Sequence, residues 1–101
     1  MDKQIDVDII QRHAPEAAKL LKVVSHETRL LILCNLCRGE KSVSELAKIL
    51  GLSQSNLSQH LARLRRRKML KTRSEGTTVF YSPAEHPVQE LLRALSHIIG
   101  H

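Results

Sequence analysis

Residues Ser53 to Lys68 read SQSNLSQHLARLRRRK, and this stretch predicts a helix with two different faces. Ser53 is a residue of the type that caps helix N-termini. Leu57, Leu61 and Leu64 follow at helical spacing, so one side of the helix is predicted to be fixed to a core. The other side is polar near its start and cationic near its end.

The free side of this helix suits contact with DNA. Its hydroxyl and amide groups can donate and accept hydrogen bonds at base edges, and recognition helices present their N-terminal residues to the major groove. Arginines at the other end suit phosphates, although such a run can also be a solvated face without a specific partner. We assign to DNA contact the polar side chains Gln54, Ser55, Asn56, Ser58 and Gln59 and the cations Arg63, Arg65 and Arg66.

Composition agrees with an anionic partner. A chain of 101 residues has room for one domain with a small core, so we expect it to form oligomers. The net charge is +6, and the cations are concentrated between Arg63 and Arg73, a stretch without an acid. No apolar run approaches membrane-spanning length and no signal-peptide pattern opens the chain, so we expect a cytoplasmic protein without a membrane partner.

Short capped helices are predicted before this stretch. The first covers residues 15–24. The second runs from an N-cap at Ser25 to Gly39, and the third runs from the capping-box pair Ser42 and Glu45 to Gly51. The second of them is predicted to carry Leu30, Leu33, Cys34 and Cys37 on one apolar face, and residues 5–12 are interpreted as an extension or a frayed arm. Because only two residues follow Gly51 before the next helix, the sequence predicts a helix-turn-helix arrangement.

A hairpin and a last helix complete the predicted fold. Segments 70–73 and 78–82 favour β-strands and flank a turn that contains Gly76, which is typical of a wing. We assign Arg73 and Thr77 of this hairpin to DNA contact as well. The last helix begins near Pro87, and its apolar face is too rich for the end of a small monomer. We expect a second copy to cover this face, which consists of Val88, Leu91, Leu92, Leu95, Ile98 and Ile99.

These motifs resemble the ArsR/SmtB family of dimeric winged helix-turn-helix repressors. The resemblance rests on SHETRLLIL from Ser25, SVSELAKILGLSQSNLSQHLARLRRRKML from Ser42 and TVFYS from Thr78. It implies an α+β, mainly α fold of five helices and a two-stranded wing, as a homodimer. Residues 1–101 would form one DNA-binding domain, with a recognition helix at about 53–67, a wing at about 70–82 and a dimerisation helix at about 87–99.

The same resemblance implies a function. It predicts a regulator, and not an enzyme, that binds a double-stranded operator with inverted repeats and leaves it when an inducer is sensed. In the family pattern His60 lies among DNA-contacting residues. The alternative to DNA contact is that His60 packs on the edge between Leu57 and Leu61.

Cysteines offer the first candidate for the sensor, and we predict a repressor that leaves its operator on oxidation or persulfidation at Cys34 and Cys37. LLILCNL, residues 30–36, closely resembles the second helix of the HlyU, YgaV and BigR subgroup, which is similar to a branch that senses reactive sulfur and oxidants. Cys34 falls on the reactive cysteine of that subgroup, whereas Gly100 stands where its usual partner would be. Cys37 is the substitute partner, although two cysteines at this spacing form a strained disulfide unless the helix end near Gly39 loosens. The alternative is that Cys34 is an inert core thiol.

Histidines near the last helix offer a second candidate. Zinc and nickel sensors of the family use a pattern whose central spacing is matched by His86 and His97, whereas Ala84 and Gly100 replace its outer ligands. His97 and His101 could share a helix face, but His86 would lie about 16 Å away at a helical rise of about 1.5 Å per residue. Only pairing across a dimer could complete such a zinc site. The alternative is that these histidines are solvated side chains.

Other sites and classes fit less well. The arsenic-sensor motif of the family is excluded because Ser42 and Ser44 stand at its cysteine positions. The Cys34 and Cys37 pair lies late in a helix, whereas a thioredoxin-like enzyme motif opens one. We therefore predict that no cofactor is required, with zinc as the possible exception. A regulator without an inducer, which relieves repression by competing for DNA sites, is a further alternative.

Overall fold

A computed structural model gives the structure of residues 5–100. The predicted winged helix-turn-helix is confirmed, but this part of the chain has one helix and one strand more than predicted. The elements are α1 (Val7–Arg12), α2 (Ala14–Val24), α3 (Glu27–Leu36), β1 (Lys41–Ser42), α4 (Val43–Leu50), α5 (Gln54–Arg66), β2 (Leu70–Glu75), β3 (Thr78–Pro83) and α6 (Val88–Ile99).

The additional helix is α1, in the segment interpreted as an extension or a frayed arm. It begins because the side chain of Asp6 accepts a hydrogen bond from the backbone N–H of Ile9 at 3.2 Å, which caps its first turn. None of its residues is buried. The predicted count of five helices was therefore one too low. Helix α1 has a cap but no contact with the core, so no apolar face in the sequence indicated it.

The additional strand is β1, which pairs antiparallel with β3 and gives the sheet order β1-β3-β2. Two residues are too short to show strand periodicity, so the sequence predicted only the hairpin. Ser42 ends β1 and also caps α4. Its Oγ accepts from the N–H of Glu45 at 3.2 Å, and the carboxylate of Glu45 accepts from the N–H of Ser42 at 2.8 Å. The predicted capping box is confirmed.

The core is built around α5. Leu57, Leu61 and Leu64 are each 0% exposed, as predicted, and they belong to one cluster with Ile32 of α3 and Leu46 of α4. The prediction for α3 needs two corrections. Its buried face consists of Ile32, Leu33 and Leu36, whereas Cys34 and Cys37 are exposed. Its N-cap is His26, because Ser25 closes α2.

The last helix divides its apolar side chains between two environments. Val88 and Leu92 are buried in the core of the protomer itself, and Leu91 packs against that core. Ile98 and Ile99 are 68% and 76% exposed. The prediction that a second copy covers the whole apolar face was therefore too broad. The first turns of α6 lie on the core of the protomer, and the end of α6 extends beyond that core.

Two turns fix the direction of α5. Gly51 has a left-handed conformation with φ of 68°, which ends α4 and lets Ser53 cap α5 by accepting from the N–H of Asn56 at 3.2 Å. At the other end Lys68 is left-handed with φ of 62°, and the N–H of Met69 donates to the carbonyl of Leu64 at 3.0 Å. This contact ends α5 and directs the chain into β2.

Candidate nucleic-acid interface

The exposed face of α5 brings together the side chains that the sequence assigned to DNA contact. The buried leucines lie on the opposite face of α5, so the polar side of the helix faces solvent. Every polar or cationic member of the predicted set on this helix except His60 is exposed, namely Gln54, Ser55, Asn56, Ser58, Gln59, Arg63, Arg65 and Arg66.

The cationic end of α5 continues towards the wing. Arg63, Arg66 and Arg67 border one surface depression, and Arg65 and Arg66 border another together with Tyr81 of β3. Arg67 was not assigned to DNA contact by the sequence, although it lies in the same arginine run. Positive charge near the last turn of a helix is also stabilised by the helix dipole. The arrangement gives a cationic surface that runs from the recognition helix to the sheet.

His60 differs from its neighbours because it is half-buried. Its ring lies 4.8 Å from the ring of His26, the N-cap of α3, and its Nδ1 is buried without a hydrogen-bond partner among the described residues. Burial lowers the pKa of His60, and the positive charges of His26, Arg29 and Arg63 lower it further. This placement favours the packing alternative, in which His60 joins α5 to the start of α3.

The wing places its two predicted contact residues in different surroundings. Thr77 is exposed at the tip, next to Gly76, whose φ of 63° suits the first position of a tight hairpin turn. Arg73 lies further back on β2. Its guanidinium forms ion pairs with the carboxylates of Glu40 and Glu75 and lies over the ring of Phe80.

Both cysteines lie at the exposed end of α3. Cys37 is the C-cap, and its N–H is 3.2 Å from the carbonyl oxygens of both Leu33 and Cys34. Burial, and then the neighbouring Cys37, raise the pKa of Cys34 above that of an ordinary thiol. Cys34 is nevertheless exposed, so it is not a core residue of the protomer. Because its pKa is raised, it is mainly protonated at neutral pH.

Two of the histidines proposed as metal ligands, His86 and His97, lie near opposite ends of α6. His86 precedes α6, where its Nδ1 accepts from the N–H of Val88 at 3.0 Å and burial lowers its pKa. His97 lies on α6, and His101 is outside the described residues. Within residues 5–100 no three His, Cys, Asp or Glu side chains lie close enough to hold a metal ion.

Comparisons with known proteins give this arrangement a family. Residues 26–71 match the model of a bacterial regulatory protein, arsR family. The transcriptional activator HlyU of Vibrio cholerae is 44% identical over 89 residues, which span 88% of this chain and 82% of HlyU. The chain belongs to the arsR family.

Further comparisons support the same family. The biofilm growth-associated repressor of Agrobacterium fabrum is 39% identical over 91% of this arsR-family chain and 79% of its own length. The crystal structure of the repressor BigR from Xylella fastidiosa has a TM-score of 0.85 at 37% identity, with 94% of this chain and 97% of that one covered. The predicted resemblance to the HlyU and BigR group is thereby confirmed.

Family membership determines the general role. The protein is a DNA-binding regulator of transcription and not an enzyme, as predicted. None of the helices within residues 5–100 is long and apolar enough to cross a membrane.

The lowered pKa of His60 and His86 predicts a stability that falls in mild acid. Both groups have folded pKa values below the ordinary 6.5. Below that pH the unfolded chain binds more protons than the folded one, so the free energy of unfolding decreases as pH falls from about 7.5 to about 5.5. We expect this decrease to be smaller in His60→Gln and smallest in the double variant with His86→Gln, as measured by urea unfolding. An unchanged pH dependence in the double variant would contradict this.

Proposed function

We propose that this arsR-family protein is a homodimeric, sequence-specific repressor that binds a double-stranded operator with inverted repeats. The observation that carries the proposal is the exposed polar and cationic face of α5, opposite three fully buried leucines. As a DNA-binding regulator of bacterial type it would act in the cytoplasm, with residues 1–101 working as one DNA-binding domain. A relative named as a repressor supports the direction of regulation, although another is named as an activator.

Two sets of side chains divide the DNA contact in this proposal. The polar set near the start of α5 reads bases, and it consists of Gln54, Ser55, Asn56, Ser58 and Gln59. The arginines of the last turns hold phosphates, since Arg63, Arg65 and Arg66 have no carboxylate partner within residues 5–100. Thr77 at the tip of the wing meets the backbone beside the groove. His60 orients α5 from behind.

The two sets predict different mutant behaviour. Gln59→Ala should weaken operator binding by about 1 to 3 kcal/mol and leave binding to unrelated DNA almost unchanged, because only specific bases are read. Arg65→Ala should weaken both and reduce the slope of log affinity against log salt by about one phosphate contact. Anisotropy titrations at several salt concentrations would measure this, on a duplex selected from a random pool.

The control for this experiment is Lys22→Ala, which removes an exposed cation on α2 and should change neither binding constant. Equal losses on both DNAs for Gln59→Ala would contradict its role in base reading.

The homodimer is supported by exposed apolar side chains at both ends of the described chain. Val7 and Ile10 of α1 are 62% and 53% exposed, and Ile98 and Ile99 of α6 are more so. Side chains of this size rarely stay uncovered together on a small monomer. A second copy of the chain would cover them and would present two recognition helices to the two half-sites of an operator.

This proposal predicts that Ile98→Glu disrupts the dimer. A charge at this exposed end of α6 should leave the protomer folded, produce monomers at micromolar concentration and weaken operator binding. Arg93→Glu is the matched control, because it places a carboxylate on the same helix about 120° or more around the axis from Ile98 and Ile99. Sedimentation velocity would measure the mass. A stable wild-type monomer would overturn the homodimer.

We further propose that thiol oxidation at the end of α3 releases the operator. The thiolate of Cys34 would attack peroxide or a polysulfide and become a sulfenic acid or a persulfide, with water or a shorter polysulfide leaving. The thiol of Cys37 would then displace water or hydrogen sulfide and form the disulfide. What supports this is that both groups are exposed and adjacent where α3 ends. The raised pKa of Cys34 makes the first step slow at neutral pH and faster as pH rises.

The thiol proposal predicts that Cys34→Ser binds the operator but no longer responds to peroxide or polysulfide. Cys37→Ser should still be modified at Cys34 but should form no intramolecular disulfide, and dithiothreitol should restore DNA binding by the wild type. Mass spectrometry of the peptide spanning residues 30–38 would locate the modification. The thiol proposal is overturned if both serine variants respond to peroxide and polysulfide like the wild type, or if the wild type does not respond to them. Release of the operator by zinc that His97→Ala abolishes would then assign the sensor to the histidines. Wild-type protein that is released by none of these ligands would be a regulator without an inducer.

A further inference from the structure

Arg73 occupies the centre of a cluster on the sheet. Its Nε donates to Oε1 and Oε2 of Glu40 at 2.9 Å each, and its Nη2 forms a second contact with Oε1. Its Nη1 donates to the carboxylate of Glu75 at 3.2 Å. The guanidinium carbon lies 4.8 Å from the centroid of the Phe80 ring. The planar guanidinium is therefore held on two edges and on one face.

The cluster joins all three strands of the sheet. Glu40 directly precedes β1, and Arg73 lies on β2, which is the other outer strand of the order β1-β3-β2. Phe80 of the middle strand is the register partner of both Ser42 and Arg73. The contact between Glu40 and Arg73 thus crosses the middle strand and ties the wing to the turn that follows α3.

The charges in this cluster do not favour a phosphate partner. Two carboxylates surround one guanidinium, so the local net charge is negative, and a phosphate would be repelled by Glu40 and Glu75. The forked geometry and the aromatic face are those that arginine, and not lysine, can satisfy. Because the Arg73 and Glu40 side chains are 49% and 36% exposed, the pair contributes little to global stability.

We propose that Arg73 is a positioning residue, which with Glu40 fixes the wing relative to the helix-turn-helix instead of contacting DNA itself. The tip of the wing, with Thr77, is then presented at a set distance from α5. Because the position of the wing matters only when the wing meets DNA, Arg73 has this role only within the proposed function.

The two possible roles of Arg73 predict opposite effects for Glu40→Gln. If Arg73 positions the wing, Glu40→Gln and Arg73→Gln each weaken operator binding by roughly two- to fivefold, which is the range expected for loss of an exposed ion pair. The double variant is then no weaker than either single one, and the salt slope stays that of the wild type. If Arg73 binds a phosphate, Glu40→Gln tightens binding by removing a nearby negative charge, and Arg73→Gln reduces the salt slope by about 0.9.

Two further variants sharpen the test. Arg73→Lys keeps a cation for a phosphate but loses the forked contact, so we expect it to bind as weakly as Arg73→Gln. Glu75→Gln is the matched control, since it removes a carboxylate beside Arg73 and leaves the contact with Glu40, and it should bind nearly like the wild type. Circular dichroism would verify that all variants are folded.

Nuclear magnetic resonance of the free protein gives a readout that does not depend on DNA. The Nε–H proton of Arg73 should exchange slowly with water because it donates to Glu40. Its signal should persist in Glu75→Gln and be lost in Glu40→Gln. If the signal persists in both variants, or if Glu40→Gln binds the operator more tightly, the positioning role is overturned and the proposed function is not. Wild-type protein that binds no selected duplex would overturn the proposed function and this role with it.

Discussion

Burial of one side of α5 is the constraint on which the rest of the structure depends. Apart from Leu57, Leu61, Leu64 and the small Ala62, the helix is polar or cationic, and its clustered arginines repel one another. Such a segment would be only marginally stable as an isolated helix, since most helical stability in proteins comes from packing of an apolar face. The leucines supply that packing against α3 and α4. Because they occupy one side only, the same burial that stabilises the helix also determines which side chains face solvent.

The arginines of this molecule have two different kinds of surroundings, and their carboxylate partners distinguish them. No carboxylate within residues 5–100 pairs with Arg63, Arg65 or Arg66, so their charge is available to an anion. Arg73 is compensated by two carboxylates. The cationic surface therefore belongs to the recognition helix, and the wing is held by an internal ion pair. A count of basic residues along the chain would treat all four alike.

Helix α3 connects these regions through its two ends. At its start, the ring of His26 contacts His60 of α5. At its end, the cysteines are followed within a few residues by Glu40, which holds Arg73 of the wing. Helix α5 therefore contacts the start of α3, and Arg73 of the wing contacts the turn that follows its end. The cysteines and Glu40 of this ion pair lie close together in the chain, on either side of the turn that follows α3.

Local sequence determined much of this fold, because caps, glycine turns and helical spacing act between residues that are close in the chain. The capping box at Ser42, the left-handed Gly51 and the leucine spacing of α5 could all be predicted, and with them the family. The orientation of α3 could not be predicted, because LLILCNL carries apolar residues all around the helix and its spacing does not select a buried face. The same limit applies to the two-residue strand β1.

Only the tertiary structure decided which distant residues meet. Glu40 and Arg73 are separated by 33 residues, and neither of their local sequences indicates the other. The contact between His26 and His60 changed the interpretation of a histidine that the family pattern placed among DNA contacts. The split of α6 into a buried start and an exposed end follows from where the core stops. These features depend on packing between separate elements, for which a single sequence carries no periodic signal.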